Sequence, residues 1–474
     1  MKLSKKILET IPKRNLQLPS IEQLVLPERV IQFGTGVLLR GLPDYFIHQA
    51  NKNGLFNGRV VVVKSTAVGQ TDAFDAQDGL YTHCIEGIKD GKQVQDFIIN
   101  SAISRVLAAS TDWIQILQLA EQRAINIIIS NVTEAGFVID NGDKIFADIP
   151  KNFPGKLLAL LYKRYVHFNG ALDAGYIILP TELVPDNGNK LFEMVKELAI
   201  INSLPLLFID WLKEANDFCN TLVDRIVPGR PPSDRQLAIH EIVGYEDDLM
   251  IVSEPYALWA IESCRPYTKK TLSFANQAGI LVTPSILKFR ELKLRLLNGT
   301  HTFSCAIASM MGFVTVKDAM ENDVFCAYIK KLMHQEIIPC VLSKDISSSE
   351  ANDFANDVID RFKNPYLAHR WESIMVDVAA KMKTRNIPLI EKSLAIHKKV
   401  PVLMAVGYAA FLVVTGMFTG GQLTSNTNFF VWDTDDAHHS LFEEKTLLLA
   451  AVIEKEGVEF LLAELVSLKQ IVNE

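Results

Sequence analysis

The chain has 474 residues and a mass of 53.0 kDa, with 49% hydrophobic and 22% charged residues. That is enough for two or three domains with a large core needing neither disulfides nor metals, and it excludes collagen-like, low-complexity and wholly disordered readings. A net charge of −7 disfavours a protein that wraps nucleic acid, so the expected ligand is a small molecule.

Met1–Leu18 carries five Lys or Arg residues but no apolar run long enough for a signal peptide. Next come short β-rich runs alternating with helical patterns. Arg29–Phe33, Arg59–Val63, Ile125–Ser130 and Tyr176–Leu179 read as strands, and Asp112–Glu121 and Pro154–His167 as helices. Near-continuous apolar strands between helices predict an α/β domain with a parallel sheet covered on both faces. From Pro284 onward the periodicity is helical throughout: Ile286–Met311, Val316–Ile338, Ser348–Phe362 and two apolar helices after Val402. The expected organisation is a Rossmann-like domain over 1–282 and a mainly α-helical domain over 283–474, with the border at Val282-Thr283-Pro284. Val402–Phe418 is uncharged for 17 residues, at the lower limit for a membrane span, and reads as a helix buried in a core. The six cysteines show no CxxC spacing, which predicts free thiols and a cytoplasmic protein without membrane contact.

The first strand runs into Gly34-Thr35-Gly36, the setting of a dinucleotide-binding turn. Gly34 permits the tight turn and Gly36 the approach of backbone N–H groups to a pyrophosphate. The third glycine of the fingerprint is replaced by Leu39, and Pro43 suggests a helix that starts late. The expected cofactor segment is Val30, Ile31, Gln32, Phe33, Gly34, Thr35, Gly36, Val37, Leu38, Leu39, Arg40 and Gly41. The second strand ends in Lys64 where an acid usually binds the ribose, which leaves NAD against NADP open from chemistry alone. Asn131, Thr133 and Glu134 after the third strand, and Glu182 and Asn187 after the fourth, fall at carboxyl ends of strands, where ligands bind.

Lys293, Asn298 and His301 fall near 0°, 140° and 80° around an ideal helix at about 100° per residue. A lysine able to exchange a proton, with two donors for a developing alkoxide, suits ketone–alcohol chemistry; a solvated face of an amphipathic helix fits the same spacing. A basic region, Arg361, His369, Lys381, Lys383 and Arg385, reads as a solvated face or as the seat of a substrate carboxylate. Asp433, Asp435, Asp436, His438 and His439 have no fixed ligand spacing, and no metal is expected.

Lys293, Asn298 and His301 in KLRLLNGTH resemble the Lys-x4-Asn-x2-His signature of the polyol-specific long-chain dehydrogenases, the mannitol dehydrogenase family. RVIQFGTGVLLRG (29–41), NVTEAGF (131–137), NTLVDRIVP (220–228), SEPYALW (253–259) and RFKNP (361–365) are similar to further blocks of that family. QDGLYT (77–82), HFNGALDAGYIILPTELV (167–184), NPYLAHR (364–370) and DDAH (435–438) resemble its sugar-acid branch. The resemblance implies an NAD-dependent, metal-independent oxidoreductase with Lys293 as general acid/base and Asn298 and His301 polarising the reacting oxygen. Leu183 stands where polyol-type members carry an oxyanion Asn, with Asn187 four residues on, and Arg290 replaces an acid three residues before the lysine. Both departures favour a carboxylate-bearing substrate, for which Glu182, Asn187, Arg290, Arg361 and Arg385 are the candidate contacts. A Rossmann-like methyltransferase would have no use for the Lys/Asn/His triplet.

Overall fold

In strand β1 (Glu28–Phe33) the buried residues Val30, Ile31 and Phe33 are apolar because both its faces are covered, with Gln32 enclosed among them. Val30 packs with Leu39, Leu42 and Phe46 on one side, and Ile31 and Phe33 with Leu157 and Leu161 on the other. In the computed structural model, which describes residues 1–12, 16–65, 71–146, 148–424, 432 and 437–467, β1 is central in a parallel sheet. Its neighbours are β2 (Arg59–Lys64), β3 (Ile103–Ala108), β4 (Ile127–Ser130), β5 (Ile177–Pro180) and β6 (Asp217–Phe218), in the order β3-β2-β1-β4-β5-β6. This is the doubly wound dinucleotide-binding order, with the reversal of strand order between β1 and β4.

The helix after the glycine turn does not start late, as Pro43 suggested. Helix α1 (Val37–Gly41) begins directly after Gly36, breaks at Leu42, and α2 (Pro43–Lys52) restarts at the proline. Pro43 has no N–H to continue a ladder but suits the first position of a new helix. On the sheet faces lie α3 (Phe153–His167) and α4 (Asn187–Ile201).

Two smaller sheets were not legible. Leu16–Gln17, Lys92–Asn100, Tyr81–Lys89 and Ile251–Ser253 form one, and Thr221–Asp224, Leu258–Glu262 and Ile280–Thr283 the other. Tyr81–Lys89 and Lys92–Asn100 form a hairpin closed by Asp90-Gly91, both at positive φ, a local signal the sequence analysis passes over. The other strands mix polar and apolar residues and find their partners further along the chain, so no local periodicity announces them.

The chain divides into two compact units: Met1–Glu86 with Val94–Ile286, and Gly87–Gln93 with Leu287–Glu474. Among the described residues the second is helical apart from the strand ends within Gly87–Gln93 and the short hairpin of Phe418–Thr419 and Gln422–Leu423. Helix α5 (Leu287–Leu292) passes into a π-helical segment, Lys293–Gly299, and then α6 (Thr300–Met310). Ser348–Phe362 is α7, Ile387–His397 is α8, Val402–Val414 is α9 and Ala437–Glu456 is α10. Helix α9 is 13 residues long and buried from Leu403 to Leu412, packed between α6 and α10; Gly407 lets it approach the Phe303 backbone. Its first turn is capped by the buried Glu336 carboxylate, which accepts from the N–H groups of Leu403 at 2.9 Å and Met404 at 2.8 Å.

The expected helix Val316–Ile338 is broken into Val316–Glu321, Asp323–Lys331, a π-helical segment Leu332–Ile337 and the turn Ile338–Val341. Asn322 causes the first break, its side chain capping Phe325 N–H at 3.0 Å. Among the described residues no helix is long and apolar enough to cross a membrane and no cluster is placed to hold a metal. Asp433, Asp435 and Asp436 lie outside the described residues.

Candidate functional site

In the first unit the carboxyl ends of β1, β4 and β5 form one polar rim. Gly34 N–H donates to Val63 O at 3.0 Å, Asn131 N–H to Phe33 O at 3.1 Å, and Thr181 N–H to Ser130 O at 2.8 Å. Gly34 has φ +125°, and a Cβ there would meet Leu39 Cδ1 at 2.8 Å and Asn131 O at 2.9 Å, so only glycine fits. At Gly36, which is exposed, a Cβ would meet nothing within 4 Å, leaving the backbone open to a ligand. Gly41 takes the close-packing role of the absent third glycine, since a Cβ would lie 2.8 Å from Val227.

Within the expected cofactor segment the side chains divide into buried and solvent-reaching ones. Val30, Ile31, Gln32, Phe33 and Leu39 are fully buried, and the Arg40 guanidinium is turned inward to the Leu249 carbonyl, over the rings of Tyr81 and Phe74. The residues of that segment that reach solvent are Gly34, Thr35, Gly36, Val37 and Leu38. The break at Leu42 frees carbonyls, and buried side chains collect them: Tyr81 donates to Arg40 O at 2.7 Å and Arg225 to Gly41 O at 2.7 Å. Arg225 also donates to Glu254 O at 3.0 Å, and Glu254 accepts from Ile226 N–H at 2.6 Å. Tyr81, Arg225 and Glu254 thus support the turn from behind. They lie in QDGLYT, NTLVDRIVP and SEPYALW, where residue type alone does not reveal this supporting role.

Thr133 and Glu134 are exposed and Asn131 half-buried in the loop after β4, while Lys64 is mostly buried at the end of β2. Glu182 and Asn187 do not stand where a substrate could use them. Glu182 is 5% exposed and its carboxylate accepts from Val132 N–H at 2.9 Å and Ser130 Oγ at 3.2 Å, tying the β4 and β5 loops together; burial raises its pKa. Asn187 is fully enclosed. Its amide donates to Pro180 O at 3.0 Å and Glu182 O at 3.1 Å and accepts from Thr221 N–H at 2.8 Å and Gly188 N–H at 2.9 Å. An amide saturated by backbone has nothing left for a ligand.

In the second unit, Lys293, Asn298 and His301 sit on one continuous helical element, but the α-helical spacing used above does not apply. Residues 293–299 are π-helical, with i→i+5 bonds. One extra residue per turn rotates Lys293 by on the order of 100° relative to α6. On that count Lys293 and His301 lie within about 20° of each other and Asn298 about 60° away, against an arc of about 140° on a plain α-helix. Lys293 and Asn298 are half-buried.

His301 is 7% exposed, stacked on Phe362 at 4.2 Å and edge-on to His369 at 5.1 Å. Its Nε2 is buried without a hydrogen-bond partner among the described residues. Burial, then the neighbouring His369, Arg361, Arg385 and Lys381, hold its pKa well below the usual histidine value, so the ring is neutral at pH 7. Four residues of the basic region, Arg361, His369, Lys381 and Arg385, therefore converge on His301, while Lys383 is exposed. Arg361 comes from the last turn of α7, and Arg385 lies in a third π-helical segment, Met382–Asn386, donating to Thr302 Oγ1 at 3.4 Å. Lys381 Nζ donates to Ile374 O at 3.0 Å, and Arg290 is half-buried in α5.

Residues 28–272 match the family model of the mannitol dehydrogenase Rossmann domain, and 285–470 that of the mannitol dehydrogenase C-terminal domain. The chain is 41% identical over 391 residues to an altronate oxidoreductase of Halalkalibacterium halodurans, covering 82% of this chain and 75% of the relative. A substrate-free D-sorbitol dehydrogenase shares the fold with a TM-score of 0.79 at 20% identity, covering 97% of this chain and 99% of that one. The mannitol 2-dehydrogenase of Pseudomonas fluorescens, solved in a ternary complex with NAD and D-mannitol, does so with a TM-score of 0.68 at 20% identity, covering 98% and 99%.

Proposed function

This chain belongs to the mannitol dehydrogenase family, and from that premise we propose that it is an NAD-dependent sugar-acid oxidoreductase that reversibly reduces D-tagaturonate to D-altronate. One observation carries the reading. The buried, unpartnered Nε2 of His301 lies among Arg361, His369, Lys381 and Arg385, on the element that also bears Lys293 and Asn298. A neutral polyol needs no such concentration of positive charge; a carboxylate needs cations to offset its desolvation. The altronate oxidoreductase relative supports the same substrate class.

Gly34, Thr35, Gly36, Val37 and Leu38, with Asn131, Thr133 and Glu134, would hold NAD in preference to NADP. The fit rests on a turn that tolerates no side chain at Gly34 and lies open at Gly36. Bound there, NADH supplies the hydride. Lys293 gives its proton to the carbonyl oxygen as negative charge develops and takes the hydroxyl proton in the reverse direction. Asn298 and the neutral His301 ring hydrogen-bond that oxygen and stabilise it. Arg385 pairs with the carboxylate, and Arg361 strengthens the local field.

The test is NADH oxidation with D-tagaturonate, D-fructuronate and D-fructose. The expected order of kcat/KM places tagaturonate first and fructose far last. Equal efficiency on fructose refutes the carboxylate reading, and faster turnover of fructuronate moves the protein to the sister activity with the same chemistry.

A further inference from the structure

Among the described residues the second unit contains three π-helical segments, 293–299, 332–337 and 382–386, and the first packs against the other two. Two of them have a local cause. Ile338-Pro339 follows the second and Ile387-Pro388 the third, and a proline cannot donate to the carbonyl four residues back and crowds it, so the preceding turn widens. The segment 293–299 has no proline within it or in the helix that directly follows. Nothing local to that segment accounts for its register, so the cause must come from outside it.

The contacts supply that cause. Pro388 leaves Thr384 O without its helical donor, and Arg295 donates to that oxygen at 3.2 Å and to Arg385 O at 2.6 Å. In return Asn386, fully buried, donates to Gly299 O at 3.1 Å. Thr302 Oγ1 donates to Asn298 O at 2.9 Å while accepting from Arg385. Each π-helical segment thus satisfies carbonyls of the other.

We propose that Arg295 and Asn386 are positioning residues: they lock the 293–299 segment in π register against the proline-widened 382–386 segment and so aim Lys293 onto the face that carries His301 and Asn298. The inference rests on the assignment of Lys293 as acid/base. Without the lock, the segment relaxes toward α-helix, and Lys293 swings by on the order of 100° away from the reacting oxygen.

The experiment compares Arg295→Met, Arg295→Lys and Asn386→Leu with the wild type, with Lys293→Ala run alongside, reading kcat and KM for the keto-acid, NADH affinity and thermal unfolding. A positioning role lowers kcat roughly ten- to a hundredfold in Arg295→Met and Asn386→Leu, with a smaller change in KM and unaltered NADH affinity. Arg295→Lys keeps a charged donor and falls between Met and wild type. Loss of thermal stability with kcat kept within about twofold, an effect confined to KM, or no graded series at residue 295 overturns the proposal. If Asn386→Leu does not fold, the series at 295 decides. Should Lys293→Ala retain turnover, the acid/base assignment fails; should Lys293→Ala be dead while the Arg295 and Asn386 variants turn over normally, only the lock fails.

Discussion

At the glycine turn the surface offered to a ligand is backbone, and the side chains behind it are turned inward and paired: Arg40 to Leu249 O, Tyr81 to Arg40 O, Arg225 to Gly41 O. Around His301 the arrangement is reversed. There the backbone is distorted and a buried side-chain nitrogen is left unpartnered among cations. A pyrophosphate is recognised by amide dipoles that any sequence supplies once the turn is possible, so selection of residues acts on permission and support. A proton transfer needs particular side chains at particular angles, so the demand falls on aim.

The largest effect that would break this contrast comes from Lys293→Ala. Loss of a general acid/base lowers the rate by roughly 10²–10⁴. NADH affinity, measured by fluorescence titration, is expected to stay near the wild-type value, because the turn lies in the other unit. Near-normal turnover in this variant would remove the chemical role from the second unit.

Arg385→Met tests whether the cations there read charge. A charge-assisted hydrogen bond contributes about 1.5–3 kcal/mol, so kcat/KM for the keto-acid is expected to fall roughly ten- to a hundredfold. The weak turnover of D-fructose should hardly change. A parallel loss on both substrates would mean that Arg385 shapes the pocket without recognising the carboxylate.

Gly34→Ala probes the first region by the same logic. The residue would have to hold φ +125° with its Cβ against Leu39 and Asn131 O. The expected outcome is a loss of roughly 1–3 kcal/mol of stability or of NADH binding, with keto-acid recognition unaffected once the enzyme is saturated with cofactor. Unchanged NADH affinity and unfolding temperature would show that the turn accommodates a side chain.

The smallest effect concerns Asp44 in α2, fully buried beneath the turn, with Gln32 donating to it at 3.3 Å and the Arg40 charge nearby. Burial raises its pKa to about 7, which the Gln32 hydrogen bond and Arg40 only partly oppose. A folded pKa above the unfolded value gives stability that is complete below the unfolded pKa and is lost as pH rises through 7. Between pH 6 and 8 this group alone accounts for about 1.4 kcal/mol. Asp44→Asn should flatten the decline in unfolding temperature over that interval, and an unchanged slope would place the pH dependence elsewhere.

Much of this was readable in the chain itself. The largely apolar runs at 29–33, 59–63, 125–130 and 176–179 determine strands, because a strand covered on both faces is apolar at nearly every position. The GxG after the first of them determines the turn, and the KLRLLNGTH stretch places Lys293, Asn298 and His301 on one helical element. The roles expected for Glu182 and Asn187 failed because position along the chain does not show which way a side chain's hydrogen bonds are directed. Both sit at the right ends of strands, yet both are consumed by loop backbone. The arc of the Lys293 helix failed for a related reason. Helical spacing presumes i→i+4 bonding, and the register of residues 293–299 depends on Pro388, Arg295 and Asn386, two of which lie nearly ninety positions downstream. What the sequence determined by itself is which elements form and which chemical groups they carry, since those follow from local periodicity and residue type. What only the tertiary structure decided is which of those groups are left with an unmet hydrogen-bonding capacity and where they are aimed, since that depends on every distant partner that claims a carbonyl or a donor first.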